Sequence, residues 1–293
     1  MSNFGIKASK LKRNPMLKII EKLLIAFIII YVLICLAAVF FQEKLIFPRQ
    51  KLSDDAITVS TRIDDIEDIE LKMKDGNKMR GWFVKNSISE KSNLLIYFGA
   101  NAEEVSRIIP RMSKFQNWSV VLINYRGYGK SEGTPSEQTL FSDSLEIYDY
   151  FANREDINKS NIILMGRSIG TGVATYLAEK RNTSAVILVS PYDTLGGIVK
   201  EKCPILPVNL ILKHRFDSIS RAPSIKSPLL IIVGTEDKLI PIWHSRRLGE
   251  AWGGKVSFEK IIGEGHNSID DGEEYWNKIN KFLTEKDSST SVQ

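Results

Sequence analysis

Apolar and polar positions follow distinct rhythms along this chain, and each rhythm predicts a different element. From Leu23 to Phe41 the sequence LLIAFIIIYVLICLAAVFF carries no charge, close to the roughly twenty residues a helix needs to cross a bilayer, so a transmembrane helix is predicted over 23–42. After Pro48 the rhythm shortens. Residues 66 to 73 (IEDIELKM) and 78 to 85 (KMRGWFVK) flank Asp75-Gly76-Asn77, the signature of a hairpin between antiparallel strands. Later runs are almost wholly apolar: LLIYF (94–98), SVVLINY (119–125), NIILMG (161–166), AVILVS (185–190) and PLLIIVG (228–234). Such runs belong to a parallel sheet covered on both faces.

Segments with helical spacing separate these runs, and one opens with Thr134-Pro135-Ser136-Glu137, read as a capping box with proline at the first helical position. Repeated strand-helix units imply a doubly wound α/β sheet. No repeat or long linker interrupts it, so a single domain is expected over 43–284, with a basic tail over 1–22 and a flexible tail over 285–293. In sheets of this kind ligands sit beyond the carboxyl ends of the strands. Chemistry is therefore sought in the residue or two after each apolar run.

Charge changes the picture only at the amino terminus. The formal net charge is +5, but residues 1 to 22 hold six basic groups against the single acid Glu21, leaving 34 basic and 34 acidic residues elsewhere. A neutral body without a basic stripe argues against nucleic acid as a partner. The basic excess before the span, compared with Lys44, Arg49 and Lys51 after it, places the amino terminus in the cytoplasm and the remaining body across the membrane. The apolar run is longer than the core of a cleaved signal peptide and no small-x-small site ends it, so an uncleaved signal anchor is expected. Cys35 and Cys203 have neither disulfide nor metal-site spacing, and no metal or cofactor is implied.

Directly after NIILM stands Gly166-Arg167-Ser168-Ile169-Gly170, followed by the helical stretch TGVATYLAEK. G-x-S-x-G between strand and helix is the context of a nucleophile elbow, in which the turn is so tight that flanking residues must be small. The alternative is a plain glycine-rich turn. An elbow serine is followed along the chain by an acid and then a histidine. His266, in Gly263-Glu264-Gly265-His266-Asn267 beyond the strand-like VSFEKII, is the expected base, whereas His214 and His244 are read as surface residues. Asp237, in Gly234-Thr235-Glu236-Asp237 after LLIIVG, is the expected acid, with Glu236 and Asp193 as alternatives. Ser168 would attack an acyl carbon, His266 would carry its proton and Asp237 would fix the imidazole tautomer.

The oxyanion of such a reaction needs two backbone N–H donors. Ile169, which follows the nucleophile, supplies one. The loop Gly99-Ala100-Asn101-Ala102-Glu103 supplies the other, with Asn101 preferred over Ala100. Gly127-Tyr128-Gly129-Lys130-Ser131 is not a phosphate-binding loop, because Asn124 stands where the first glycine is required. Gly166 to Gly172 also lacks dinucleotide-binding spacing.

Together these pieces resemble the bud-emergence-type α/β-hydrolases, membrane-associated proteins that in animals include protein depalmitoylases. The resemblance covers Leu45 to Lys281 and rests on Tyr97 to Glu103, Asn124 to Ser136, the elbow Gly166 to Gly170, Gly234 to Asp237, and Gly265-His266-Asn267. It implies an α/β-hydrolase fold with antiparallel amino-terminal strands, and Ser168, Asp237 and His266 as the triad. A single span followed by a phrase such as Lys44-Leu45-Ile46-Phe47-Pro48 is usual in the group. This chain departs from it in having Gly99-Ala100 where His-Gly or Gly-Gly is common, and alanine takes positive φ less readily than glycine. It also lacks the group's amino-terminal cysteine cluster, so depalmitoylation is not carried over.

The segment of about 191–226 is rich in aliphatic residues, among them Leu195, Ile198, Val199, Ile205, Leu210 and Phe216. It is a candidate helical lid and suggests a small-molecule or lipid-like acyl substrate, unless these residues pack onto the sheet instead. Peptide hydrolysis on the same fold and a catalytically silent, membrane-tethered binding protein are the competing functions.

Overall fold

A computed structural model describes residues 15–52, 65–86 and 90–290. The chain divides into two compact units, Met1–Gln42 and Glu43–Gln293. Helix α1 (Pro15–Ile46) accounts for the described part of the first. Its most apolar stretch reaches a mean hydropathy of 3.2 with none of it buried, so the helix is long and apolar enough to span a bilayer. The helix passes the predicted 23–42 at both ends, because good helix formers such as Lys18, Glu21, Lys22, Glu43 and Lys44 continue it past the apolar run.

The second unit is built on one eight-stranded sheet in the order β1-β2-β4-β3-β5-β6-β7-β8. Strands β1 (Ile66–Lys72) and β2 (Lys78–Val84) form the antiparallel hairpin foreseen at Asp75-Gly76-Asn77. Gly76 takes φ +90°, and Asn77 N donates to Asp75 Oδ1 at 3.1 Å. Strand β2 also runs antiparallel to β4 (Trp118–Ile123). From β4 onward every pairing is parallel, through β3 (Ser92–Phe98), β5 (Ile157–Arg167), β6 (Ala185–Val189), β7 (Leu229–Gly234) and β8 (Val256–Ile261). Alternate residues of the central strands feed two separate apolar clusters, one containing Leu94, Leu164 and Ile231, the other Leu95, Ile163 and Ile232. Burial on both faces is why these strands read as continuous apolar runs.

Helix α2 (Ile109–Met112) packs with the second cluster, to which the last helix, α8 (Glu273–Thr290), also contributes. Helices α3 (Glu137–Ala152) and α4 (Ile169–Lys180) serve the first, which also takes Leu248 from α7 (Ile242–Ala251). The cap of α3 lies two residues later than the sequence suggests. Ser136 is the N-cap, accepting from Thr139 N at 3.1 Å, while Thr139 Oγ1 accepts from Ser136 N at 2.8 Å. Glu137 cannot close a box because its carboxylate accepts from the backbones of Arg215 and Phe216 at 2.7 and 2.8 Å. At the other end, α8 continues to Thr290 where a flexible tail was expected from 285, since Asp287 accepts from the side-chain amides of Asn93 and Asn117 at 2.8 and 3.1 Å.

The segment 191–226 contains α5 (Leu195–Lys202) and α6 (Val208–Ile211). Ile198, Phe216 and Ile225 are buried in the main core and Val208 is also buried, whereas Ile205 and Leu210 are exposed. Much of its apolar content is therefore spent on packing.

One buried ion pair ties the hairpin, the loop after β4 and α3 together. Arg126, 4% exposed, donates to Asp143 through Nε and Nη2 at 2.8 and 2.6 Å and also to Asp75. Replacing Arg126 with Ala leaves the Asp143 carboxylate buried without a counter-ion. We expect a loss of about 3–5 kcal/mol in denaturant unfolding, and a smaller one for the double variant Arg126→Met/Asp143→Leu.

Candidate functional site

Ser168 occupies the single residue between β5 and α4, with φ +51° and ψ −118°. Its neighbours explain how a non-glycine residue is held there. A Cβ on Gly166 would lie 2.4 Å from Gly170 O, and one on Gly170 would lie 2.1 Å from Phe98 O. Only glycine at both positions lets the helix fold back against the strand ends this closely. Ser168 N donates to Val189 O at 2.9 Å, and Thr171 Oγ1 donates to Ser168 O at 2.6 Å, fixing the elbow from both sides.

His266 meets this serine from the loop after β8. Its Nε2 lies 3.0 Å from Ser168 Oγ and its Nδ1 2.8 Å from Asp237 Oδ2. Asp237 follows β7, and its other oxygen accepts from Leu239 N and Ile240 N at 2.9 and 2.8 Å. Because a carboxylate only accepts, the imidazole presents Nδ1–H to Asp237 and leaves Nε2 free to accept from the serine hydroxyl. Burial alone would push the Asp237 carboxyl up, but hydrogen bonds from His266 and Ile240 outweigh it and hold the group below its usual value. Gly234 lets the two loops approach, since a Cβ there would lie 2.3 Å from Glu264 O.

The other acids and histidines go elsewhere. Glu236 is exposed. Asp193 is buried and faces His244 Nδ1 at 2.7 Å and Arg247 Nη1 at 3.0 Å. Neither His244 nor His214 is a surface residue as the sequence suggested. His244 is fully buried between Asp193 and Glu201, whose Oε2 is 3.1 Å from Nε2. His214 packs edge-on against Phe47 and accepts from Glu137 N at 3.2 Å, and its burial pushes the imidazole pKa down. Their partners lie far away in sequence, so the polar segments around them gave no sign of burial.

The loop after β3 is held on every side. Ala100 N donates to Glu103 Oε2 at 2.8 Å, and Glu103 also accepts from Tyr97 Oη at 2.9 Å. Asn101 N has no acceptor among the described residues, and Ile169 is the first residue of α4, where the backbone N–H has no partner within the helix. Ala100 is not among the residues at positive φ, so an alanine at this position brings no backbone strain. Tyr125 Oη donates to Gly99 O at 2.9 Å and Tyr128 Oη to Asn101 O at 2.6 Å. The glycine-rich run after β4 thus braces this loop, a role that the sequence reading did not assign to it.

Arg167, the last residue of β5 and the one before the elbow serine, joins the loops after β3 and β8. Its Nη2 lies 2.9 Å from Asp270 Oδ1 and donates to His266 O at 3.3 Å, while Nη1 lies 4.0 Å from Glu103. Burial pushes the Glu103 carboxyl up, with Arg167 and the Ala100 N–H opposing it. Beside His266 opens a cleft of about 620 Å³, lined from residues 100–111, Arg167, Leu239, the His266 loop and Trp276. No residue of the segment 191–226 lines it.

Comparison with known proteins matches residues 98–203 to the alpha/beta hydrolase fold. An uncharacterised protein of Mycobacterium tuberculosis is 30% identical over 74% of this chain and 79% of its own length. An uncharacterised membrane protein of Saccharomyces cerevisiae is 30% identical over 84% of this chain and 90% of its own. The chain belongs to the alpha/beta-hydrolase family. The alpha/beta hydrolase domain-containing protein WAV2 of Arabidopsis thaliana is a further relative, 27% identical over 83% of this chain and 87% of its own. Among solved structures, an esterase of Pyrococcus furiosus shares the fold with a TM-score of 0.64 at 21% identity, covering 82% of this chain and 96% of that one. An alpha-beta hydrolase of Vibrio vulnificus gives 0.66 at 19% identity, covering 85% and 92%.

The lowered Asp237 pKa fixes the sign of one pH effect. Stability from this ionised group is complete above the ordinary aspartate pKa of about 4 and is lost as pH falls through the lower folded value. In denaturant unfolding across acid pH, Asp237→Asn is expected to be less stable at neutral pH and to show a flatter acid limb than the natural chain.

Proposed function

We propose that this alpha/beta hydrolase is a serine hydrolase that cleaves an acyl ester or thioester through an acyl-enzyme. The observation that carries this reading is the unbroken hydrogen-bonded line from Asp237 through His266 to Ser168 Oγ. Ser168 Oγ attacks the acyl carbon as its proton passes to His266 Nε2. The oxyanion that forms accepts from the backbone N–H groups of Ile169 and Asn101, while Ala100 N is already committed to Glu103. His266 then protonates the leaving oxygen or sulfur as its bond to the acyl carbon breaks. Water, activated by the same imidazole, adds to the acyl-enzyme and restores Ser168. Asp237 keeps the imidazole in one tautomer and stabilises the imidazolium in between.

The domain is read as held to a membrane by α1, with the amino terminus cytoplasmic and the hydrolase body on the other side. Supporting this are the length and hydropathy of α1, the basic residues that precede it, and a yeast relative described as a membrane protein.

Labelling with a fluorophosphonate probe tests the chemistry. The natural chain should be labelled and Ser168→Ala should not, with ester turnover falling at least about a thousandfold for Ser168→Ala and for His266→Ala. A Ser168→Ala chain that is labelled as fully as the natural one would sink the assignment.

A further inference from the structure

The cleft beside His266 is rich in charge, and its charges are unevenly matched. Arg167 is answered internally by Asp270 and Glu103. Arg107 and Arg111 are different. They stand about one turn apart on the short helical segment Val105–Met112 that follows the Gly99–Glu103 loop, and both line the cleft. Arg107 is exposed, and its guanidinium has no hydrogen-bond or ion-pair partner among the described residues. Arg111 is paired at 2.5 Å with Glu273, which is 73% exposed, so the pair exchanges readily with a better-placed anion. Its guanidinium lies 5.8 Å from the centre of the Trp276 ring, which holds it at the cleft wall. The remaining acid of the cleft, Asp271, is on the His266 loop and exposed.

A long aliphatic acyl chain has little to bind here. The exposed aliphatic residues Ile205 and Leu210 line no part of this cleft, and its own apolar surface is limited to Ile108, Leu239, Trp276 and small alanines. Two guanidiniums one turn apart suit a carboxylate or phosphate, which accepts from both. Resting on the reading of Ser168 as nucleophile, we propose that the substrate is an ester or thioester carrying an anionic group, a carboxylate or phosphate, which Arg107 and Arg111 hold in this cleft while its acyl carbon sits at Ser168.

Two matched substrate pairs test this on the full-length protein in detergent. The p-nitrophenyl hemiester of adipic acid against p-nitrophenyl hexanoate places the charge on the acyl side. Hexanoylglycerol phosphate against hexanoylglycerol places it on the leaving group. In at least one pair kcat/KM should favour the charged ester by about tenfold or more, the worth of one charge-assisted hydrogen bond. That ratio should fall in Arg107→Ala and Arg111→Ala, fall furthest in Arg107→Glu, and shrink as ionic strength rises. Equal use of both members of both pairs, or a preference that the arginine variants leave intact, would overturn the inference. Fluorophosphonate labelling of Ser168 in the same samples separates the two levels: labelling without charge preference removes this inference alone, whereas absent labelling removes the hydrolase reading with it.

Discussion

The site depends on a close backbone approach between Phe98 O and the first turn of α4, where a Cβ on Gly170 would lie 2.1 Å from that carbonyl. A residue larger than glycine at 170 would collide with that carbonyl, and one at 166 would collide with Gly170 itself. This clearance lets β5 turn directly into α4 and forces Ser168 into a conformation that places its hydroxyl outside both elements. The same approach sets the Gly99–Glu103 loop beside the start of α4. From one steric constraint follow the position of the serine, the direction of the Ile169 N–H and the proximity of the loop that faces it.

Around that constraint the site is assembled from strand ends by polar contacts rather than by apolar packing. Asp237 is gripped by two backbone N–H groups, Glu103 by a tyrosine and a backbone N–H, and two tyrosines hold the carbonyls of Gly99 and Asn101. Each is a directional contact at or near a buried position, where an unpaired group would be costly. The apolar clusters on the two faces of the sheet supply cohesion. The polar contacts supply precision where the chain leaves the sheet.

Much of this was legible in the sequence because strand ends are. Continuous apolar runs marked the parallel strands, and Ser168, Asp237 and His266 each stood within a few residues of such an end, in the order the fold uses. What stayed hidden depends on long-range pairing. Nothing near His244 announces Asp193 and Glu201, and nothing near His214 announces Phe47 and Glu137. Arg167 reads as an arbitrary residue inside the elbow motif until Asp270 and Glu103 fold against it. The aliphatic segment 191–226 was ambiguous in the sequence for a related reason. Composition shows that a stretch is apolar, not whether it faces a cleft or the domain's own core.

The cluster of Glu103, Arg167 and Asp270 has a consequence for how such a protein can diverge. The arginine ends β5 and the acids come from the loops after β3 and β8, with Asp270 at 2.9 Å as its near counter-ion and Glu103 at 4.0 Å beyond. Loss of the arginine strands carboxylates, and loss of Asp270 takes away its near counter-ion, so either single change is penalised even where the double change is tolerable. Descent should therefore carry Arg167 and Asp270 as a pair, exchanged together for uncharged residues or kept together. In a collection of related sequences they should covary with one another more tightly than with the serine they surround.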